Sequence, residues 1–413
     1  MIPRPWSLWR IAPAVASAML ILMNAGASAQ ARPVSGVVYA DRNGNGVRDA
    51  GESGLRGVIV SNQVDVAVTD SLGAFALGAA PTGVIFVSVP SGYRAVGRFW
   101  RAVDSTIHPL AFGLQPERQP ATFTFVHASD SHVSPENVGL TRRFRALVDS
   151  LHPSFVLVAG DLVKDAMSTP QSQSESYFDL FASEASQIKV PVWTVPGNHD
   201  HFGVIRSRSH VDPANPSYGR GMYRRYFGPD YYSFTYGGVH FIGLNTVALD
   251  DSAYYGFVDS VQLAWIKRDV ARIPSTMPIV TFDHIPFVSS WWDAMGPLDM
   301  PLVGSVAKAS GRPTYRHTVG NFAEVIDALR DHNYVLALGA HTHVPEQVQL
   351  VSNGRPIRFE QSAAIAGGPF YGPLRFPPGF SAYTVRQGDV GRPVFVPIDT
   401  TRRAPAPRQP VPR

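Results

Sequence analysis

The chain has 413 residues, 45% hydrophobic and 16% charged, with no cysteine; that suits two or three packed domains and excludes a fibre, a disulfide framework, a lipid-modified lipoprotein and any thiolate nucleophile or metal site. The formal charge of +4 sits at the ends, with Arg4 and Arg10 giving +2 and Arg402, Arg403, Arg408 and Arg413 giving +4. What remains from Gln30 to Asp399 is −2, which speaks against a face for duplex nucleic acid.

Residues 1–29 read as a signal peptide. Arg4 and Arg10 precede an apolar run from Ile11 to Met23 and then Ala27-Ser28-Ala29. The run is shorter than the ~20 residues a spanning helix needs, so cleavage before Gln30 is expected, with no transmembrane segment left behind. The protein is expected to be exported, to the periplasm or the extracellular space.

Residues 33–115 carry short β-rich runs at Val34 to Tyr39, Val58 to Ser61, Val64 to Thr69, Ala74 to Leu77 and Val84 to Val89, separated by Gly, Pro, Asn and Asp. They predict a small all-β sandwich module. Within it, residues 41–52 fit a calcium-loop pattern. Asp41, Asn43 and Asn45 offer side-chain oxygens, Gly46 permits the turn, Val47 offers a carbonyl, and Asp49 and Glu52 complete the shell. The segment is read either as a structural calcium clip or as an Asn/Gly-rich turn without an ion.

From Ala121 the texture is α/β. Strands are expected at Thr122 to His127, Phe155 to Ala159, Val190 to Val195, Pro278 to Phe282 and Tyr334 to Leu338; helices are expected at Asn137 to Leu151, Ser174 to Ile188, Val261 to Ile273 and Phe322 to His332. Hairpins turn at Gly237-Gly238 and Asn353-Gly354. This second domain is taken as 121–399, with a reduced β extension from about residue 369, and 400–413 as a disordered Pro/Arg tail.

The chemistry lies just after the five strands, as Asp130-Ser131-His132, Gly160-Asp161, Gly197-Asn198-His199-Asp200, His284-Ile285-Pro286 and His341-Thr342-His343. Carboxyl ends of strands are where open α/β sheets bind ligands. In this order the five signals resemble the calcineurin-like metallophosphoesterase family, with an amino-terminal β-module as in some bacterial secreted members. One departure is Ala340, which separates Gly339 from the His-x-His pair.

The resemblance implies a four-layer α/β/β/α metallophosphoesterase sandwich preceded by the small all-β module. It implies that Asp130, His132 and His343 bind one metal, that Asn198, His284 and His341 bind a second, and that Asp161 bridges both. Such oxygen and imidazole sets suit Mn, Fe, Zn or Co. Gly160-Asp161 runs on to Leu162, Val163 and Lys164, so the tyrosine that colours purple acid phosphatases is missing. His199 is expected to face substrate, where it would stabilise the phosphoryl oxygens or protonate the leaving oxygen, with Asp200 holding its ring.

The expected function is a secreted dimetal phosphoesterase that cleaves a phosphate ester, a phosphodiester ahead of a monoester, by attack of a metal-bridged hydroxide. The substrate is a phosphate-ester small molecule or a cell-envelope phosphate. The alternatives are a phosphomonoesterase or nucleotidase of the same fold, or a non-catalytic surface-binding protein. His108, His127, His152, His240, His317 and His332 are read as structural; His201 and His210, close behind the Asn198-His199 loop, are read as structural ahead of a role in supporting the site or contacting substrate. Arg206, Arg208, Arg220, Arg224 and Arg225 are read as substrate contacts or solvated loop residues, and Trp291 and Trp292 as pocket wall or packing.

Overall fold

A computed structural model describes residues 33–103, 109–290, 306–307, 313–352, 354–368, 370–371 and 374–398. The expected signal peptide, the 400–413 tail, His108, Asn353, Trp291 and Trp292 lie outside the described residues.

The amino-terminal region is two four-stranded sheets. One contains Val34–Ala40, Ala74–Leu77, Tyr93–Ala95 and Leu110–Pro116; the other contains Ile59–Ser61, Val66–Val68, Val84–Ser88 and Trp100–Ala102. Strand Leu110–Pro116 carries Gly113, whose missing side chain makes room for Asp41: a Cβ there would stand 2.8 Å from Asp41 Oδ2. Asp41 is buried, and its carboxylate accepts from the amides of Gly44, Asn45 and Gly46 at 2.7, 3.2 and 2.8 Å. Glu52 accepts from the Arg42 and Asp49 amides at 2.8 and 3.0 Å. The 41–52 loop is therefore shaped by its own carboxylates.

Beyond it, two six-stranded sheets face each other. The first runs Val192–Val195, Phe155–Ala159, Thr122–Ala128, Gly379–Arg386 and Asp389–Val390, with Val394–Pro397 also paired to Gly379–Arg386. The second runs Tyr232–Tyr236, Val239–Gly243, Pro278–Phe282, Asn333–Gly339, Arg355–Gln361 and Glu346–Ser352. Strand periodicity sorts the side chains of Phe155–Ala159 to two sides. Phe155, Leu157 and Ala159 point between the sheets, where Phe155 meets Phe234 edge-on at 5.4 Å and Trp193 stacks on Phe234 at 4.0 Å. Val156 and Val158 point outward against Phe144 and Val148 of helix Val138–Leu151 and Phe178 and Phe181 of helix Gln171–Ala185. Helices Ser260–Val270 and Phe322–Leu329 cover the second sheet through Trp265, Ile266, Val325 and Leu329, completing four layers.

Helix Gln171–Ala185 begins three residues before the expected Ser174, because Pro170 supplies a ready stop for the preceding loop. The hairpin at Gly237-Gly238 has φ of 55° and 81°, the left-handed pair that a tight two-residue turn needs. Among the described residues no helix is long and apolar enough to cross a membrane.

The β-module is fused to the second domain by one continuous core. Phe86 meets Tyr232 at 6.4 Å and Trp265 at 6.2 Å, and Phe99 packs on Trp193 at 4.8 Å. Polar links follow the same seam: Trp265 donates to Ser61 Oγ at 3.1 Å, and Gln63 donates to Asp230 at 3.2 Å. Asp230 is buried and also receives Arg224 at 2.8 Å and Asn245 at 2.9 Å, with Arg220 at 3.3 Å. Burial alone would raise its pKa, but Arg224 and Arg220 outweigh burial and hold the carboxyl below the ordinary range. A depressed folded pKa contributes stability above the unfolded value of about 3.9, and that stability is lost as pH falls through the lower folded value. Asp230→Asn is accordingly expected to cost about 3 kcal/mol at neutral pH by stranding the two guanidinium groups. The gap to the native protein should narrow below about pH 4, which urea unfolding across pH would read.

Candidate metal centre

The five motif segments follow strands that run parallel within their sheets, so their carboxyl ends share one edge of the sandwich. Two glycines let the segments meet. A Cβ on Gly197 would lie 2.2 Å from Asp161 N, and one on Gly160 would lie 2.6 Å from Gly197 N. The Gly-Asp and Gly-Asn-His-Asp segments therefore touch backbone to backbone. Asp130, His132, Asp161, His341 and His343 all have positive φ, from 40° to 71°. Such left-handed backbone costs a non-glycine residue about 1–3 kcal/mol, so the surrounding structure imposes it at five positions of one site.

All seven residues expected as ligands come together. Ligand atoms of Asp130, His132 and His343 lie within 4.8 Å of one another, and so do those of Asp161, His284 and His341. Asp161 stands between the two groups, with Oδ1 3.3 Å from His284 Nε2 and Oδ2 3.6 Å from His132 Nε2. Asn198 Oδ1 lies 3.1 Å from His284 Nε2.

The arrangement fits cations. His343 Nδ1 faces the Gly367 carbonyl at 3.0 Å and His284 Nδ1 the Ala159 carbonyl at 2.9 Å, which places their protons on Nδ1 and turns bare Nε2 atoms inward. His343 Nε2 then meets His132 Nε2 and Asp130 Oδ1, both at 3.2 Å. Among the described residues Asp130 Oδ1 is buried without a well-aligned donor. Acceptors facing acceptors at that range call for positive charge between them. With protons alone supplying it, burial disfavours the imidazoliums, yet Asp161 beside His284 and Asp130 beside His343 push both pKa values up to about 9.

His199 stands at the rim, partly exposed and edge-on to His132 at 4.8 Å. Its expected partner requires correction. The short Asn198–Asp200 turn carries Asp200 underneath, fully buried, where its carboxylate accepts from Gly197 N at 2.8 Å, Leu162 N at 3.0 Å and Val163 N at 3.2 Å. Asp200 thus ties the two glycine-led segments together and does not reach the imidazole. The carboxylate facing His199 Nδ1 is Asp165, at 4.0 Å. Burial and then Asp161 push the Asp200 pKa up to about 7, against three amide hydrogen bonds.

Other expectations also change. Arg220 and Arg224 pair with buried Asp230, Arg225 with Glu175 and Arg206 with Asp251, so these four are committed to carboxylates and not to a substrate phosphate; Arg208 is exposed. His201 is buried with Nδ1 on the Gly197 carbonyl at 2.8 Å, a support beneath the loop, while His210 is exposed at a helix end. His240 is buried against Asp269 at 2.8 Å, and His152 closes helix Val138–Leu151. His317, read as structural, lies in the centre: its Nδ1 is 2.8 Å from His341 Nε2. Tyr254 also borders the site, edge-on to His341 at 6.0 Å. Neither residue sits in a motif, and both arrive through the Ala253–Gly256 strand and the segment paired to it.

Comparison with known proteins identifies the family of the chain. The family model described as calcineurin-like phosphoesterase matches residues 123–345, more than half of the chain. The serine/threonine-protein phosphatase CPPED1 of Mus musculus is 25% identical over 218 residues, covering 48% of this chain and 66% of that protein, so the chain spans just under two thirds of that relative's length. Among solved structures, a dimetal phosphatase from Danio rerio aligns with a TM-score of 0.44 at 13% identity, over 67% of this chain and 99% of that one. GAP50 of Plasmodium aligns with a TM-score of 0.39 at 12% identity, over 68% and 85%. On the matched family model and the order of its motifs, the chain belongs to the calcineurin-like phosphoesterase family.

Proposed function

We propose that the chain is an exported dimetal phosphoesterase that hydrolyses a phosphate ester, with a phosphodiester as the preferred class. The carrying observation is Asp161, set between two groups of ligand atoms so that one carboxylate faces both. Asp130, His132 and His343 would hold one cation, Asn198, His284 and His341 the other, with Asp161 shared. Two divalent ions, when bound there, supply phosphoryl polarisation and an acidified water. The chain's own contribution is placement. His199 projects from the rim where a leaving oxygen would depart and gives it a proton, while Asp165 faces the other side of its ring. Asp200 fixes the loop that presents Asn198 and His199 together. The partly exposed rim suits a leaving group of some bulk, which supports a diester.

A monoester is the second reading, supported by the similarity to a protein named as a serine/threonine-protein phosphatase. A nucleotide or a cell-envelope phosphate belongs to the same substrate chemistry. A non-catalytic surface-binding role sits poorly with a full ligand set in which five residues hold left-handed backbone.

Dialysis against EDTA is expected to abolish hydrolysis of bis-p-nitrophenyl and p-nitrophenyl phosphate, and Mn, Fe, Zn or Co to restore it. Inertness toward both substrates with every metal would overturn the enzymatic reading, and the ratio of the two rates separates diester from monoester. Calcium at the 41–52 loop belongs to the same proposal, supported by the side-chain oxygens that the sequence pattern sets at Asp41, Asn43, Asn45, Asp49 and Glu52. Added Ca²⁺ should then raise the melting temperature of EDTA-treated protein without restoring activity. Export, inferred from residues 1–29, predicts that protein recovered from outside the cytoplasm begins near Gln30.

A further inference from the structure

We infer that His317 is a positioning residue for the second cation site, fixing His341 in the tautomer that presents Nδ1 as its ligand atom. The inference rests on the ligand set proposed above. His341 has two ring nitrogens with different surroundings. Its Nδ1 looks into the site, 3.2 Å from His284 Nε2, while its Nε2 faces away and meets His317 Nδ1 at 2.8 Å. A neutral imidazole carries one proton, and the nitrogen without it is the one with a lone pair to give. One ring nitrogen of His341 lies within 4.8 Å of ligand atoms of Asp161 and His284, and Nδ1 is the one that meets His284. The proton therefore belongs on Nε2, and His317 Nδ1 accepts it. The two rings also lie nearly parallel, 26° apart with centroids at 4.9 Å, so the contact limits rotation of His341 as well as choosing its tautomer.

His317 is placed there by backbone built for the purpose of close approach. Tyr315 O accepts from Gly256 N at 2.6 Å, Val319 N donates to Pro286 O at 3.0 Å, and Gly320 N donates to Gly256 O at 3.0 Å. These bonds clamp the chain on both sides of His317. The clamp needs a glycine at 256, because a Cβ there would lie 2.2 Å from Thr318 O. Pro286 lies two residues past His284, so the same clamp ties His317 to the loop carrying another ligand of that site. His341 itself has a φ of 71°, and an imidazole on such a backbone depends on its contacts for orientation.

Two substitutions separate the roles. His317→Phe keeps a ring against His341 and removes the acceptor, whereas His317→Asn removes the ring and keeps an oxygen near the position of Nδ1. Mn²⁺ alone, titrated calorimetrically into EDTA-stripped full-length protein, should give two sites in the native chain. His317→Phe should weaken one of the two by about 10–100-fold and leave the other unchanged, the usual loss when a ligand's orienting partner is removed. His317→Asn should recover most of that affinity, within about a few fold of native. Two native-strength sites in His317→Phe would overturn this inference alone. Equal loss in both variants, accompanied by a lower melting temperature, would reduce His317 to packing and overturn it too. A native chain that binds fewer than two Mn²⁺ would overturn the underlying ligand assignment, and this inference with it.

Discussion

Asp161→Asn is expected to lower kcat/KM by on the order of 10³-fold or more, about 4 kcal/mol of transition-state stabilisation, while the protein still folds. Folding should survive because asparagine is among the residues that accept a left-handed backbone, and position 161 has a φ of 49°. Its side-chain oxygen can also still accept from the His199 amide, now 2.8 Å from Asp161 Oδ1. What disappears is the shared negative charge. Burial works against that charge, and His284, His199 and His132 around it more than compensate, holding the carboxyl far below its usual range. An amide would aim an N–H at one of the imidazoles and leave one of the two proposed cations without a carboxylate oxygen from position 161. Metal analysis after dialysis should fall from two ions per chain to one or none. A variant with two ions and native rate would remove Asp161 from the centre of the proposal.

His199→Ala should divide substrates by the basicity of their leaving group. For alkyl esters, whose departing oxygen needs a proton, the rate is expected to fall by about 10²–10⁴-fold. For p-nitrophenyl esters, which leave without one, the fall should stay within about tenfold. Metal content should be unchanged, since the inward-facing lone pairs of His284 and His343 are oriented by the Ala159 and Gly367 carbonyls and not by His199. A uniform loss for both kinds of ester would instead place His199 in binding the phosphoryl oxygens.

Much of the centre was legible because motif and strand end coincide. A run such as Phe155 to Ala159, buried on both faces, announces a central parallel strand, and the Gly-Asp after it is where that strand must stop. The glycines of the motifs carry a geometric message that sequence alone states only as punctuation: at 160 and 197 they allow two loops to touch. The partner of His199 was not legible. Adjacency favours Asp200, but a tight turn sends successive side chains in different directions, and the carboxylate four residues beyond Asp161 ends up facing the ring. The arginines misled for a related reason: the acid that neutralises Arg220 and Arg224, Asp230, is a single residue in an apolar stretch and gives no pattern. His317 lay deeper still, 24 residues before His341, delivered by a hydrogen-bonded crossing with Gly256 that no periodicity foretells. In the β-module the strands at Tyr93–Ala95 and Trp100–Ala102 have three residues each, too few for alternation to register.

The joint between module and enzyme limits how such a protein can be rearranged. Where a flexible tether separates two domains, either can be traded for another without consulting its neighbour. Here Phe86 and Phe99 rest on Tyr232, Trp193 and Trp265, so altering the shape of one side demands a matching alteration on the other. The amino-terminal sandwich shares one packed core with its partner, and a graft onto a different hydrolase would have to carry the facing aromatics along.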